Sequence, residues 1–240
     1  MKISIILVGE TPEAMRGEFG GYPAQFHKMF DDTGLGFDFE TIRALDGEVL
    51  PAPDTLQAIV VTGSAAGVYD TSHWIDPLRA FIRAAYAVRT PMVGICFGHQ
   101  IMADALGGGV RKSDKGWGIG RHVYKVHQKL DFMSQVGDEV AINASHQDQV
   151  IAPPPDAEVF LSSQFTPNAG LIYKSGAAIS MQPHPEFEAD FARALVELRR
   201  GNPLTDAQVE AAKSTLDIPV DSADVAMWLG RFFKQAGKET

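Results

Sequence analysis

The chain has a single cysteine, Cys96, so it can form no internal disulfide. That thiol and the seven histidines build no Cys/His array with metal-ligand spacing. Cations are scarce: 21 Lys and Arg stand against 30 Asp and Glu, for a formal net charge of -9. Nor do the basic residues gather in one stretch, which argues against a nucleic-acid partner. No apolar run approaches the roughly 18 residues that cross a bilayer. The N-terminal Met1-Lys2-Ile3-Ser4-Ile5-Ile6-Leu7-Val8-Gly9 is too short for a secretory signal and reads as a first strand. The glycine-rich stretches Gly63-Ser64-Ala65-Ala66-Gly67 and Gly107-Gly108-Gly109 lack both G-x-G-x-x-G and G-K-[ST], so neither is a phosphate cradle. Together the absences predict a cytoplasmic protein with no cofactor, no metal, no membrane and no nucleic-acid partner.

What is present is ordinary globular composition: 240 residues, 45% hydrophobic and 21% charged, enough for one sizeable core. Short β-branched runs at 3–8, 37–42, 58–62 and 92–95 read as strands, and 24–30, 74–88 and 97–106 as the helices between or after them. Strand alternating with helix implies a mostly parallel sheet with helices on both faces. From 121 onward the strand candidates crowd together, at 122–126, 140–143, 159–162, 171–173 and 177–181, which predicts an antiparallel extension. A helix over 188–200 ends at Gly201-Asn202-Pro203, and two more helices follow at 205–215 and 222–235, with Thr205 and Ser222 as N-caps. The expected division is a main domain over 1–200 and a C-terminal helical appendage over 201–240 packed on it.

The segment Pro91-Met92-Val93-Gly94-Ile95-Cys96-Phe97-Gly98-His99-Gln100 carries an apolar strand into a helix, with the cysteine at the junction. A lone cysteine is ordinarily a small buried hydrophobe. Gly94 and Gly98, two residues to either side, are instead what a nucleophile elbow requires for its strand and helix to approach. In that position the helix N-terminal amides favour the thiolate of a group that otherwise titrates at about 8.5.

A cysteine nucleophile needs a base, and the base an orienting acid. Gln182-Pro183-His184-Pro185-Glu186 leaves the strand at 177–181, so His184 emerges at the same kind of strand end as Cys96. Flanking prolines restrict the backbone there, and Glu186 can reach the second imidazole nitrogen. Cleaving an amide also needs an oxyanion hole; the amides of Phe97, next to Cys96, and Gly63, in the loop after a neighbouring strand, are the candidates. Taken singly, the Gly63 loop is equally an ordinary turn, and the His184 loop a solvated one.

Four blocks together resemble the class I (triad-type) glutamine amidotransferases, most closely the amidotransferase domain of GMP synthetases and its free-standing relatives. They are Gly63-Ser64, Gly94-Ile95-Cys96-Phe97-Gly98-His99-Gln100-Ile101-Met102-Ala103, Ser145-His146-Gln147-Asp148, and Gln182-Pro183-His184-Pro185-Glu186-Phe187. The resemblance covers roughly residues 1–200. It implies a flavodoxin-like sheet with an antiparallel addition and a Cys96-His184-Glu186 triad. It also implies that Gln100 helps hold glutamine, while Ser145 and His146 offer backbone contacts to its amino-acid end. Pro183 departs from it, standing where many members carry an aromatic. The chain also holds no S-G-G-x-D-S loop of a synthetase domain. The first expectation is therefore a glutaminase that forms a γ-glutamyl thioester and passes ammonia to a separate synthetase. The alternatives are a free-standing γ-glutamyl hydrolase or peptidase, and a non-catalytic binding module of the same fold.

Overall fold

The computed structural model describes residues 1–134 and 136–237. The first half runs β1 (Lys2–Ile6), α1 (Glu13–Phe19), α2 (Tyr22–Asp31), β2 (Asp38–Ile42), β3 (Ile59–Val61), α3 (Ile75–Ala87), β4 (Met92–Ile95) and α4 (Phe97–Ala105). Strands dominate next: β5 (Gly109–Lys112), β6 (Gly118–Val126), β7 (Glu139–His146), β8 (Asp148–Ala152), β9 (Ala157–Ser162), β10 (Gly170–Tyr173) and β11 (Ala178–Met181). Three helices close the described chain: α5 (Ala189–Leu198), α6 (Asp206–Thr215) and α7 (Ser222–Ala236).

One nine-stranded sheet has the order β2-β1-β3-β4-β11-β10-β9-β6-β7. From β2 through β11 the neighbours are parallel, and from β11 to β7 they are antiparallel. β5 and β8 form a separate antiparallel ribbon. The parallel strands are apolar on both faces because helices cover both. On one face Ile3, Ile5, Val60, Val93 and Ile95 pack with Phe26 and Phe30 of α2 and with Val225, Leu229 and Phe233 of α7. On the other, Ile6, Ile59, Val61 and Met92 meet Leu78 and Ile82 of α3 and Ile101 of α4. α7 thus contributes to the same core as β1. No helix among the described residues is long and apolar enough to cross a membrane.

Thr205 caps α6 as expected: its side chain accepts from the Gln208 amide in a capping box. Ser222 does not cap α7. The N-cap is Asp221, whose carboxylate accepts the Ala141 N–H at 2.7 Å while its own N–H donates to the Ala141 carbonyl, also at 2.7 Å. Tying the helix start to β7 outweighs a local serine cap. Gly107 ends the α4 turn at φ +94°, a conformation that suits glycine.

Candidate active site

The register of β4 with its neighbours decides what meets at the C-terminal edge of the sheet. Val61 pairs with Gly94, and Ile95 with Met181. The residues following β3, β4 and β11 therefore emerge side by side: Gly63, Cys96, and the loop from Gln182 to Glu186. The Cys96 N–H donates to the Met181 carbonyl at 2.9 Å, extending the ladder into the turn.

Cys96 sits at φ 53° and ψ -102°, a region that side-chain-bearing residues seldom enter. The turn closes because its flanking residues lack side chains. A Cβ on Gly94 would lie 2.6 Å from the Gly98 carbonyl oxygen, and one on Gly98 only 2.2 Å from the Val61 carbonyl oxygen. The thiol is 6% exposed. Phe97 opens α4 directly after it, with an N–H that has no acceptor inside the helix. Gly63 faces the same spot: a Cβ there would be 3.1 Å from His184 Cε1 and 3.7 Å from Cys96 Cβ. Its carbonyl is held away, accepting the Thr62 hydroxyl at 3.1 Å, and Thr62 Oγ1 itself accepts the Val8 N–H at 3.2 Å.

His184 is fixed from several sides. Its N–H donates to the Asn143 carbonyl at 2.8 Å, and Asn143 Nδ2 donates to the Phe187 carbonyl at 3.0 Å, so β7 pins both ends of the loop. The Phe187 ring stacks on the imidazole at 3.9 Å with 6° between planes. Nδ1 lies 2.7 Å from Glu186 Oε1, and both side chains are buried. Burial alone would lower the imidazole pKa. The negative charges of Glu186 and Cys96, with hydrogen bonds to both, overcome it and carry the pKa up to about 10. With Nδ1 committed to Glu186, the other ring nitrogen is left for a second partner.

Of the residues expected to hold substrate, Gln100 is buried beneath the thiol. Its Nε2 donates to the Asp148 carbonyl at 2.8 Å and to Gln182 Oε1 at 3.1 Å, and Gln182 Nε2 in turn donates to Cys96 Sγ at 3.5 Å. Ser145, at the end of β7, accepts a hydrogen bond from Arg199 Nη1 at 2.6 Å. His146 turns inward against Phe165, and burial, then neighbouring histidines, lowers its pKa to about 3. Its imidazole is neutral and buried. The other motif histidine, His99, bridges Ser180 and the Asn168 carbonyl in the core.

The profile of the family described as "Glutamine amidotransferase class-I" matches residues 37–194. This chain belongs to the class I glutamine amidotransferases. Gamma-glutamyl peptidase 4 of Arabidopsis thaliana is 26% identical over 235 residues, covering 95% of this chain and 92% of that one. A GMP synthase (glutamine-hydrolyzing) of Thermus thermophilus is 32% identical over 130 residues, covering 54% of this chain and 24% of the synthase. In fold, the amidotransferase superposes on a glutamine amido transferase structure from Methylobacillus flagellatus with a TM-score of 0.76, at 22% identity, over 99% of this chain and 93% of that one.

Sequence reasoning passed over three residues at this site. Gln182 lies inside a quoted motif, yet nothing in its spacing says that its amide reaches the thiol. Asn143 reads as the last residue of a strand at 140–143. Arg199 reads as a cation in the last turn of a helix, the usual place for one. Only the chain's return past β7 brings these side chains to the sheet edge.

Proposed function

We propose that this amidotransferase hydrolyses γ-glutamyl amides through a thioester on Cys96. The observation that carries the reading is the convergence of Cys96, His184 and Glu186 with the Phe97 and Gly63 backbone at one sheet edge. The Cys96 thiolate attacks the γ-carbonyl carbon, and the oxyanion that forms accepts hydrogen bonds from the Phe97 and Gly63 amides. The protonated His184 gives its proton to the leaving nitrogen, the C–N bond breaks, and amine departs. Water then loses a proton to His184 and attacks the thioester. The C–S bond breaks, glutamate leaves, and the proton held by His184 restores the starting state. Glu186 keeps the imidazole in one orientation and stabilises its charge throughout. Gln182, its own side chain held by Gln100, donates a hydrogen bond to the sulfur.

Near full-length similarity to a γ-glutamyl peptidase supports a free-standing enzyme for which the leaving group is an amino acid or peptide. A second reading has support in the GMP synthase similarity: glutamine is the amide, and the released ammonia passes to a separate synthetase. The two separate on a substrate panel. Purified protein is given glutamine and a set of γ-glutamyl dipeptides, and glutamate release is followed for wild type and Cys96→Ala. Brisk, Cys96-dependent dipeptide cleavage without a partner is expected. Slow cleavage of glutamine alone would favour the synthetase-coupled reading, and amide cleavage that persists in Cys96→Ala would sink both.

A further inference from the structure

Arg199 is the C-cap residue of α5, half-buried beside the site. The arginines near it are paired: Arg193 with Asp217 at 2.6 Å, and Arg200 with Glu197, Asp206 and Glu210. Arg199 has no carboxylate partner among the described residues. Its guanidinium instead lies over the Trp117 ring, 5.0 Å from the centroid, and donates one hydrogen bond to Ser145 Oγ. Removing a cation from water without a counter-ion is costly, and burial does lower the Arg199 pKa. Ser145, which it holds, lies two residues along β7 from Asn143, whose carbonyl accepts the His184 N–H at 2.8 Å, so Arg199 borders the triad. Tyr22, at the start of α2, packs on Phe187, whose ring stacks on His184, and on Phe191. Burial raises the Tyr22 pKa against the pull of Arg199, so its phenol stays a donor.

A fork of N–H donors stacked on an indole, short of one anion, is a carboxylate site. We propose that Arg199 binds the α-carboxylate of the γ-glutamyl group, held in place by Trp117 and Ser145. This rests on the γ-glutamyl amide reading above. The α-carboxylate is separated from the reacting carbonyl by Cα, Cβ and Cγ alone, a fixed reach common to glutamine and every γ-glutamyl peptide. A carboxylate on the leaving group lies at no constant distance, so one rigid cation near Cys96 suits the α-carboxylate. Arg199 is thus a specificity residue: it selects substrates whose γ-glutamyl group is free at its α-carboxyl and rejects those where that group is amidated.

The test has a binding arm and a turnover arm. L-Glutamine and its α-carboxamide are titrated calorimetrically into Cys96→Ala protein, with and without Arg199→Met or Arg199→Lys. Glutamine should bind the Arg199-containing protein more tightly than the carboxamide, by roughly 30-fold or more, as for a desolvated charge pair. Arg199→Met should erase that ratio, and Arg199→Lys should restore part of it, since ammonium keeps the charge and loses the fork. In turnover, Arg199→Met in the wild-type background should raise KM for a γ-glutamyl anilide far more than it lowers kcat, and leave the α-amidated anilide unaffected. Equal binding of glutamine and its carboxamide to Cys96→Ala, or an unchanged ratio in Arg199→Met, overturns the assignment. Loss of all Cys96-dependent turnover in the wild type would sink the amide-cleavage reading instead, and the calorimetric arm would still decide Arg199.

Discussion

The positive charge on His184 has two sources that can be removed separately, Glu186 at 2.7 Å and the Cys96 sulfur. Glu186→Gln keeps the shape and a hydrogen bond but removes the charge and lets the imidazole choose the wrong tautomer. The expected loss in kcat is on the order of 10² to 10⁴, with KM moving much less, measured on a γ-glutamyl amide. The same substitution has a pH signature in stability. A histidine whose folded pKa is raised stabilises the fold fully below its unfolded pKa, about 6.5, and the contribution disappears as pH rises through the folded value near 10. The wild type should therefore exceed Glu186→Gln in unfolding free energy most at pH 6 and below, with the gap closing between pH 6.5 and 10 in urea titrations. A gap that widens with pH would show that His184 is neutral in the folded protein. Neither the size of the shift nor the Gln182 contact with the thiol was legible in the sequence. Both depend on burial, and the local pattern of Gln182-Pro183-His184-Pro185-Glu186 is equally that of an exposed loop.

At the scale of elements, the strand-to-helix turn at Cys96 was the most legible part, because sterics demand its glycines. Gly98→Ala would drive a methyl to 2.2 Å from the Val61 carbonyl oxygen, backbone that cannot yield. A destabilisation of about 3 kcal/mol, the upper end for overpacking, is expected in chemical denaturation. Gly17, inside α1, meets nothing within 4 Å. Gly17→Ala should stabilise by roughly 0.5 to 1 kcal/mol, the ordinary helix preference for alanine. Opposite signs for one chemical change would show that the first glycine is required by contact and the second is not. What the sequence concealed here were α1, β5 and β8. α1 is short and interrupted by Gly17, so no apolar stripe stands out. β5 opens on the last of three glycines and ends in the exposed Arg111 and Lys112, with no alternation to read. A single residue, Gln147, separates β8 from β7, and two strands so close look like one strand and its turn.

Across the whole molecule, the last described helix closes the face of the sheet that carries Cys96. Val225, Trp228, Leu229, Phe232 and Phe233 share one cluster with Cys96, Ile95 and Phe30. Each such side chain contributes about 1.5 to 3 kcal/mol on burial, so together they rival the roughly 5 to 15 kcal/mol that holds a domain folded. A chain truncated before Ser222 should lose its near-UV circular dichroism and elute as an expanded or aggregated species. A truncated chain with native spectra and native thermal stability would show that α7 is dispensable to the core. Helical periodicity predicted this helix, but no local feature could say that its apolar face lies beneath β1 and β4. That is a long-range fact, fixed by the return of the chain and by the Asp221–Ala141 link.

Covalent labelling with a diazo-ketone analogue of glutamine tests most directly whether Cys96 is the nucleophile toward a γ-glutamyl carbonyl. One equivalent of label is expected on Cys96 by peptide mass mapping, slowed by added γ-glutamyl substrate, with amide cleavage lost in step with incorporation. Cleavage that continues undiminished after Cys96 is fully labelled, or label that settles on another residue while activity falls, would contradict it.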